Sequence, residues 1–345
     1  MALAALGAMA LLPGTARAAP PTQPAPRIER VSTAADGAQA DGPSGAATLS
    51  PDGDHVGFAS EATNLTPDGG QRPRAHGYAR DLRTGQVTRI KESLSAPALS
   101  ADGRYAAHTA WGPYIINVFL TDLTTGERKQ VDGKGFKEGS YAPSISADGR
   151  YIAYQLTPRH PENPTRVEVY DRVTDTREVV SDGPPDSSRD MTDPSISADG
   201  SKVAYVDEGT DQVWVRDRTS GALTRVDDGT PSTLAQLSAD GRTVAMNSAD
   251  GAYIRDLRTA KTERFPGRRA AALSPDGHQL LLSDAESILR LTNVHSGRDT
   301  VVGHGSATAG AVGAKGRSVV FSSADTDVVP GDTNGVEDVF LWHAR

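Results

Sequence analysis

Ile145-Ser146-Ala147-Asp148-Gly149-Arg150-Tyr151 decides the fold, because it is one copy of a series. The same turn reads Leu49-Ser50-Pro51-Asp52-Gly53, Leu99-Ser100-Ala101-Asp102-Gly103 and Ile196-Ser197-Ala198-Asp199-Gly200. It returns as Leu237-Ser238-Ala239-Asp240-Gly241 and Leu273-Ser274-Pro275-Asp276-Gly277, then in degraded form as Val312-Gly313-Ala314-Lys315-Gly316. A spacing of roughly 36–51 residues, with each unit full of short strands, is the signature of a propeller or a solenoid. The Asp side chain bonds backbone N–H groups two residues on, and Gly takes the positive φ of a tight hairpin. These Asp residues are therefore read as scaffold, not as acids or metal ligands.

Each unit continues in the same order. An apolar strand follows the turn, as in Tyr151-Ile152-Ala153-Tyr154. A loop of variable length leads to a third strand ending in Asp, such as Val213-Trp214-Val215-Arg216-Asp217. A Thr-Gly type of turn and a fourth strand, such as Thr224-Arg225-Val226, complete the unit. Four antiparallel strands bounded by Gly and Asp turns make one propeller blade. The expected fold is thus all-β, a seven-bladed propeller of four-stranded antiparallel blades. The seventh unit ends at Arg345 without a fourth strand. Arg27-Ile28-Glu29-Arg30-Val31-Ser32 resembles one, so the N-terminal strand is expected to close the last blade.

Residues 1–18 read as a secretory signal peptide, with an apolar core and an Ala16-Arg17-Ala18 cleavage site, although no Lys or Arg precedes that core. The Pro-rich stretch 19–26 reads as a linker, and 27–345 as a single propeller domain. The reading places the mature chain outside the cell or in the cell envelope. The apolar run is too short for a membrane span. The net charge of -8 gives no basic excess for phosphates, which argues against nucleic acid as a partner. The sequence holds no Cys, which excludes a disulfide framework or a lipidated cysteine within it.

The turn Ser-Ala/Pro-Asp-Gly-Arg-Tyr, its apolar strand and the Val-x-Val-Arg-Asp strand resemble the WD40-like PD40 repeat of TolB-like propellers, over about 27–345. A similar repeat occurs in the propeller of prolyl oligopeptidases. The resemblance implies fold and not activity. The chain shows neither the α/β domain that precedes the TolB propeller nor the Gly-x-Ser-x-Gly elbow of a peptidase domain.

Strand alternation puts the Ser-x-Asp-Gly and Thr-Gly turns on one face of the ring. The second-to-third loops and the connectors between blades lie on the other. Repetitive turns on one face and diverse loops on the other point to the loop face for specificity. Long loops fall at 61–74, 157–165 and 324–337, and long connectors at 132–140 and 181–192. Arg72, Arg74, His76, Trp111, Tyr114, Arg159, His160 and Glu162 are the ligand-binding candidates, with Arg189 and Asp190 beside them. No catalytic constellation, metal site or cofactor motif emerges. Asp332-Thr333-Asn334-Gly335 with Asp338 resembles part of a calcium loop but lacks its third alternating ligand and closing Glu. The leading expectation is a non-catalytic module that binds a protein, peptide or glycan. The alternatives are a propeller lyase or hydrolase with its site at the channel mouth, and a structural spacer in the envelope.

Overall fold

In the computed structural model the described residues are 27–69, 74–133, 138–159, 163–181 and 190–344. The signal-peptide and linker readings, 1–26, lie outside them. Seven antiparallel sheets follow one another around a ring. Blade 1 carries Ser44–Leu49, His55–Ser60, His76–Asp81 and Val87–Arg89, paired in that order. Blades 2 to 6 repeat the order from Ala98–Leu99 to Asp299–His304. In blade 3 the inner strand, Glu138–Ile145, begins earlier than its long connector implied. Blade 7 pairs Ser318–Ser323 with Asp338–His343, and the latter with the N-terminal strand Arg27–Arg30. The register runs from Arg27 opposite His343 to Arg30 opposite Phe340, so both ends of the chain share one sheet. In the place of an inner strand, this blade has isolated bridges, Ser306 with Ser322 and Val312 with Val319.

The second strand of each blade is apolar along its length because blades stack face to face and bury both its sides. Ile152, Ala153 and Tyr154 are fully buried, as are Val203, Ala204 and Tyr205. Burial falls off outward, and the fourth strand Thr176–Val179 is exposed throughout.

The repeated turn does more than reverse the chain. In blade 3 Ser146 Oγ donates to Asp148 Oδ1 at 2.7 Å, and the Arg150 N–H donates to the same oxygen at 2.9 Å. The residue between Ser and Asp stitches neighbouring blades. The N–H of Ala101 donates to the carbonyl of Ala147, Ala147 to Ala198, and Ala198 to Ala239. Arg150 also forks onto Asp171 at the end of the third strand, at 3.0 and 2.8 Å. That guanidinium, ahead of two backbone N–H donors, holds the Asp171 carboxyl down to about 2.

Gly149 is constrained twice. Its φ is +67°, and a Cβ there would lie 2.4 Å from the Tyr105 ring of the preceding blade. Tyr151 packs in the same way against Gly200 of blade 4. The Gly149→Val variant is therefore expected to lose at least the roughly 1–3 kcal/mol of a β-branched residue forced to positive φ. Asp148→Ala, which loses one cap, should cost about 1 kcal/mol. Urea melts of both variants check the order. Equal midpoints would show that neither the positive φ nor the aromatic contact weighs on the valine.

Candidate functional site

The two faces are built as the strand order requires. The Asp-Gly turns and the Asp-capped third-to-fourth turns share one face; the described parts of the second-to-third hairpins and of the connectors share the other. Arg72, His160, Glu162 and Arg189 lie outside the described residues. Arg74 and Arg159 are exposed. His76 lies just past the 61–74 loop and belongs to a strand. It opens the third strand of blade 1 opposite Ser60 and is half-buried. Burial, then the charges of Arg89 and Arg74, push its imidazole pKa down, while a hydrogen bond to the Ser93 backbone opposes them. Arg89 was missed in the sequence because it sits in an ordinary fourth strand. Here it reaches Asp68 at 3.2 Å. Asp190 is an anchor: its Oδ1 accepts from the Thr165 N–H at 3.0 Å, and its carbonyl accepts from the Glu208 N–H.

Trp111 and Tyr114 stand on the second-to-third hairpin of blade 2, where Trp111 pairs with Ile116. They are 56% and 71% exposed, the only aromatic side chains among the large exposed hydrophobics of the described residues. Tyr105, Tyr154, Tyr205 and Tyr253 are buried by comparison. On blade 3 the residues beyond the hairpin form an ion network. Arg166 lies against Glu138 at 3.4 Å and Glu168 at 2.8 Å. The buried Tyr154 hydroxyl donates to Glu168 Oε2 at 2.7 Å, and burial ahead of that carboxylate raises its pKa.

The long loop of blade 7 is tied to the N-terminal strand. Arg30 Nε lies 3.1 Å from Asp338 Oδ2, and its terminal nitrogen 3.6 Å from Asp332 Oδ2. Gln39 Nε2 donates to both carboxylates, at 2.9 and 2.8 Å. The pair that resembles part of a calcium loop thus faces a guanidinium. Among the described residues no group of three or more His, Asp or Glu is arranged to hold a metal.

The ring axis is a channel, with a cavity of about 600 Å³. Its wall comes from the inner strands and turns and is mostly small or apolar: Ala96, Pro143, Ala235 and Ala309 are typical. Side chains close the wall between blades. Ser144 Oγ accepts from the Ile196 N–H, Ser195 Oγ from Leu237, and Gln236 Oε1 from Leu273 and Gly310. The inner strands carry a recurring bulge. At it, Ala46, Ala142 and Asp193 take φ of 49°, 48° and 50°. Such left-handed non-Gly residues each cost of order 1 kcal/mol or more. Among the described residues of the wall, Asp193 is the one charged side chain.

A family profile described as Gmad1, the lipoprotein LpqB beta-propeller domain, matches residues 119–262. No curated protein matches the chain. Among solved structures, an oligogalacturonate lyase in complex with manganese aligns over 92% of this chain and 93% of its own, with a TM-score of 0.64 and 15% identity. The Cps50 (Swd1) propeller domain of Myceliophteria thermophila covers 88% and 97%, with a TM-score of 0.58 and 16% identity. TolB from Acinetobacter baumannii covers 90% and 81%, at 0.47 and 17%. At these identities the lyase and Swd1 likenesses concern the fold, which serves enzymes and non-enzymes alike. The chain is a seven-bladed β-propeller, and its residues 119–262 are similar to the LpqB beta-propeller profile.

Proposed function

We propose that this chain is a non-catalytic binding module of the cell envelope or the extracellular space, holding a protein, peptide or glycan on its loop face across blades 1 to 3. The observation that carries the reading is the exposure of Trp111 and Tyr114 on that face. Exposed aromatics supply large contact area for little ordering cost, and Trp and Tyr dominate binding hot spots. Arg74 and His76 on one side and Arg159 on the other give the patch polar flanks. The lipoprotein named in the matched profile supports an envelope address, as does the signal-like sequence 1–18. Among the described residues no helix is long and apolar enough to cross a membrane.

Trp111 supplies its own test. The other two tryptophans are less exposed, Trp342 at 2% and Trp214 within its sheet. A screen of peptidoglycan fragments, envelope glycans and envelope peptides should yield a ligand that shields Trp111 from acrylamide quenching. Trp111→Ala should then weaken that ligand by more than about 1 kcal/mol. Arg74→Ala and Arg159→Ala should do likewise, while their stability stays within about 0.5 kcal/mol of the parent. Hydrogen-exchange protection confined to the Ser-x-Asp-Gly face would overturn the assignment. The catalytic alternative draws on the lyase fold neighbour and needs an acid–base set at the channel mouth. Formation of an unsaturated product from oligogalacturonate would replace the binding reading.

A further inference from the structure

We propose that Asp193 makes the axial channel a receptor for an organic cation, an ammonium or guanidinium carried on an aliphatic stem. The first observation is in the repeat. The residue four places before the turn serine is Ala46, Ala96, Ala142 and Ala270 in blades 1, 2, 3 and 6, and Leu234 in blade 5. Only blade 4 puts a carboxylate there. The sequence around it is otherwise that of blade 3: Asp193-Pro194-Ser195-Ile196 against Ala142-Pro143-Ser144-Ile145. The local backbone is also the same, with φ of 50° and 48°. A carboxylate is therefore not what the bulge requires.

The second observation is where the charge lies. Asp193 is an exposed residue of an inner strand, and the space it lines is the channel of about 600 Å³, a volume typical of small-ligand sites. Among the described residues it has no hydrogen-bond or ion-pair partner, unlike Asp332 and Asp338. The surrounding protein strips part of the water from its carboxylate, and the nearby charge of Glu208 adds to this, so its ionised form is disfavoured. A charge in a cleft with low-dielectric walls has its field focused into the cleft and attracts a counter-charge there. The surrounding wall of Ala and Pro suits methylene groups, and Ser95, Thr109 and Tyr141 line the same cavity with hydroxyls. A bare calcium or magnesium ion is a poor fit, because each takes six or more oxygen ligands and the described wall offers one carboxylate.

The cation has two sources, a free amine or the side chain of a bound partner. Calorimetric titration of the full chain separates them, with n-butylammonium as one probe. The other is a blocked Gly/Ser nonapeptide with one central Lys. The expected result is saturable binding of at least one probe, with neutral n-butanol or a norleucine peptide at least tenfold weaker. Asp193→Asn keeps size and tolerates the left-handed backbone, so it should melt with the parent while losing at least tenfold in affinity. Trp111→Ala should leave this binding unchanged, which separates it from the loop-face reading. Binding of only the amine or only the peptide identifies the source. Saturation of neither probe, equal affinity of Asp193→Asn, or the same heat from sodium chloride at matched ionic strength would overturn the proposal.

Discussion

Deletion of residues 19–34 is expected to lower the stability of the propeller by several kcal/mol, on the order of a large core truncation. The lost strand Arg27–Arg30 pairs along its whole length with Asp338–His343. Beyond it the Val31 N–H donates to the Val339 carbonyl at 2.8 Å, and the Val31 side chain is 2% exposed within the largest apolar cluster. Ser32 Oγ donates to Asp338 Oδ1 at 2.6 Å, so truncation removes a partner from a fully buried carboxylate. The strand left open, Asp338-Val339-Phe340-Leu341-Trp342-His343, would present a long apolar edge, which invites pairing between molecules. Urea melts should show a lowered midpoint, and size-exclusion chromatography should show association. Deletion of 19–26 alone should do neither. If the longer truncation melts with the parent, the closing strand contributes nothing.

That strand was legible in the sequence because a propeller has a fixed strand count per blade. A seventh unit that stops at its third strand needs a fourth, and Arg27-Ile28-Glu29-Arg30 carries the right pattern. The turns were legible for a similar reason, since Asp-Gly is a local device. Its second role was not: Gly149 faces Tyr105 of the preceding blade, and no local rule links residues 44 apart. The site divides along the same line. Trp111 and Tyr114 were found as aromatics on a hairpin where exposure follows from position. His76 follows the 61–74 loop but is a strand residue, and the charge of Arg89, from the next strand, acts on it. Asp193 is not among the sequence candidates, since it lies just past the 181–192 connector in an ordinary copy of the repeat. The signal lay in alignment with the other repeats, where the same place holds Ala or Leu. Wall residues of a channel are adjacent in space only after the ring has closed, so their convergence is invisible to strand-by-strand reading.

Arg30→Met is expected to destabilise the closure by about 3 kcal/mol, the lower end for breaking a buried ion pair from one side. Met keeps the stem that covers Phe340, whose ring centre lies 5.8 Å from the guanidinium carbon. The variant therefore removes charge more than packing. The Arg30 side chain is 9% exposed, Asp332 2% and Asp338 0%, so the two carboxylates would be left facing each other with little water. Gln39 still donates to both, which keeps the cost near the lower bound. The pH dependence has a definite sign. The Gln39 hydrogen bond first, and the Arg30 charge as well, hold the Asp332 carboxyl below its ordinary 3.8. A depressed folded-state pKa gives stability that is complete above the unfolded value and lost as pH falls through the folded one. The gap between parent and Arg30→Met should accordingly be full at neutral pH and shrink as the pH drops below about 4. Asp332→Asn placed on top of Arg30→Met should recover part of the loss, because the pair no longer carries two like charges. Paired urea melts of the four species as a double-mutant cycle measure the coupling. A gap that stays constant down to acid pH, or a double variant no more stable than Arg30→Met, would show that the guanidinium acts by packing alone.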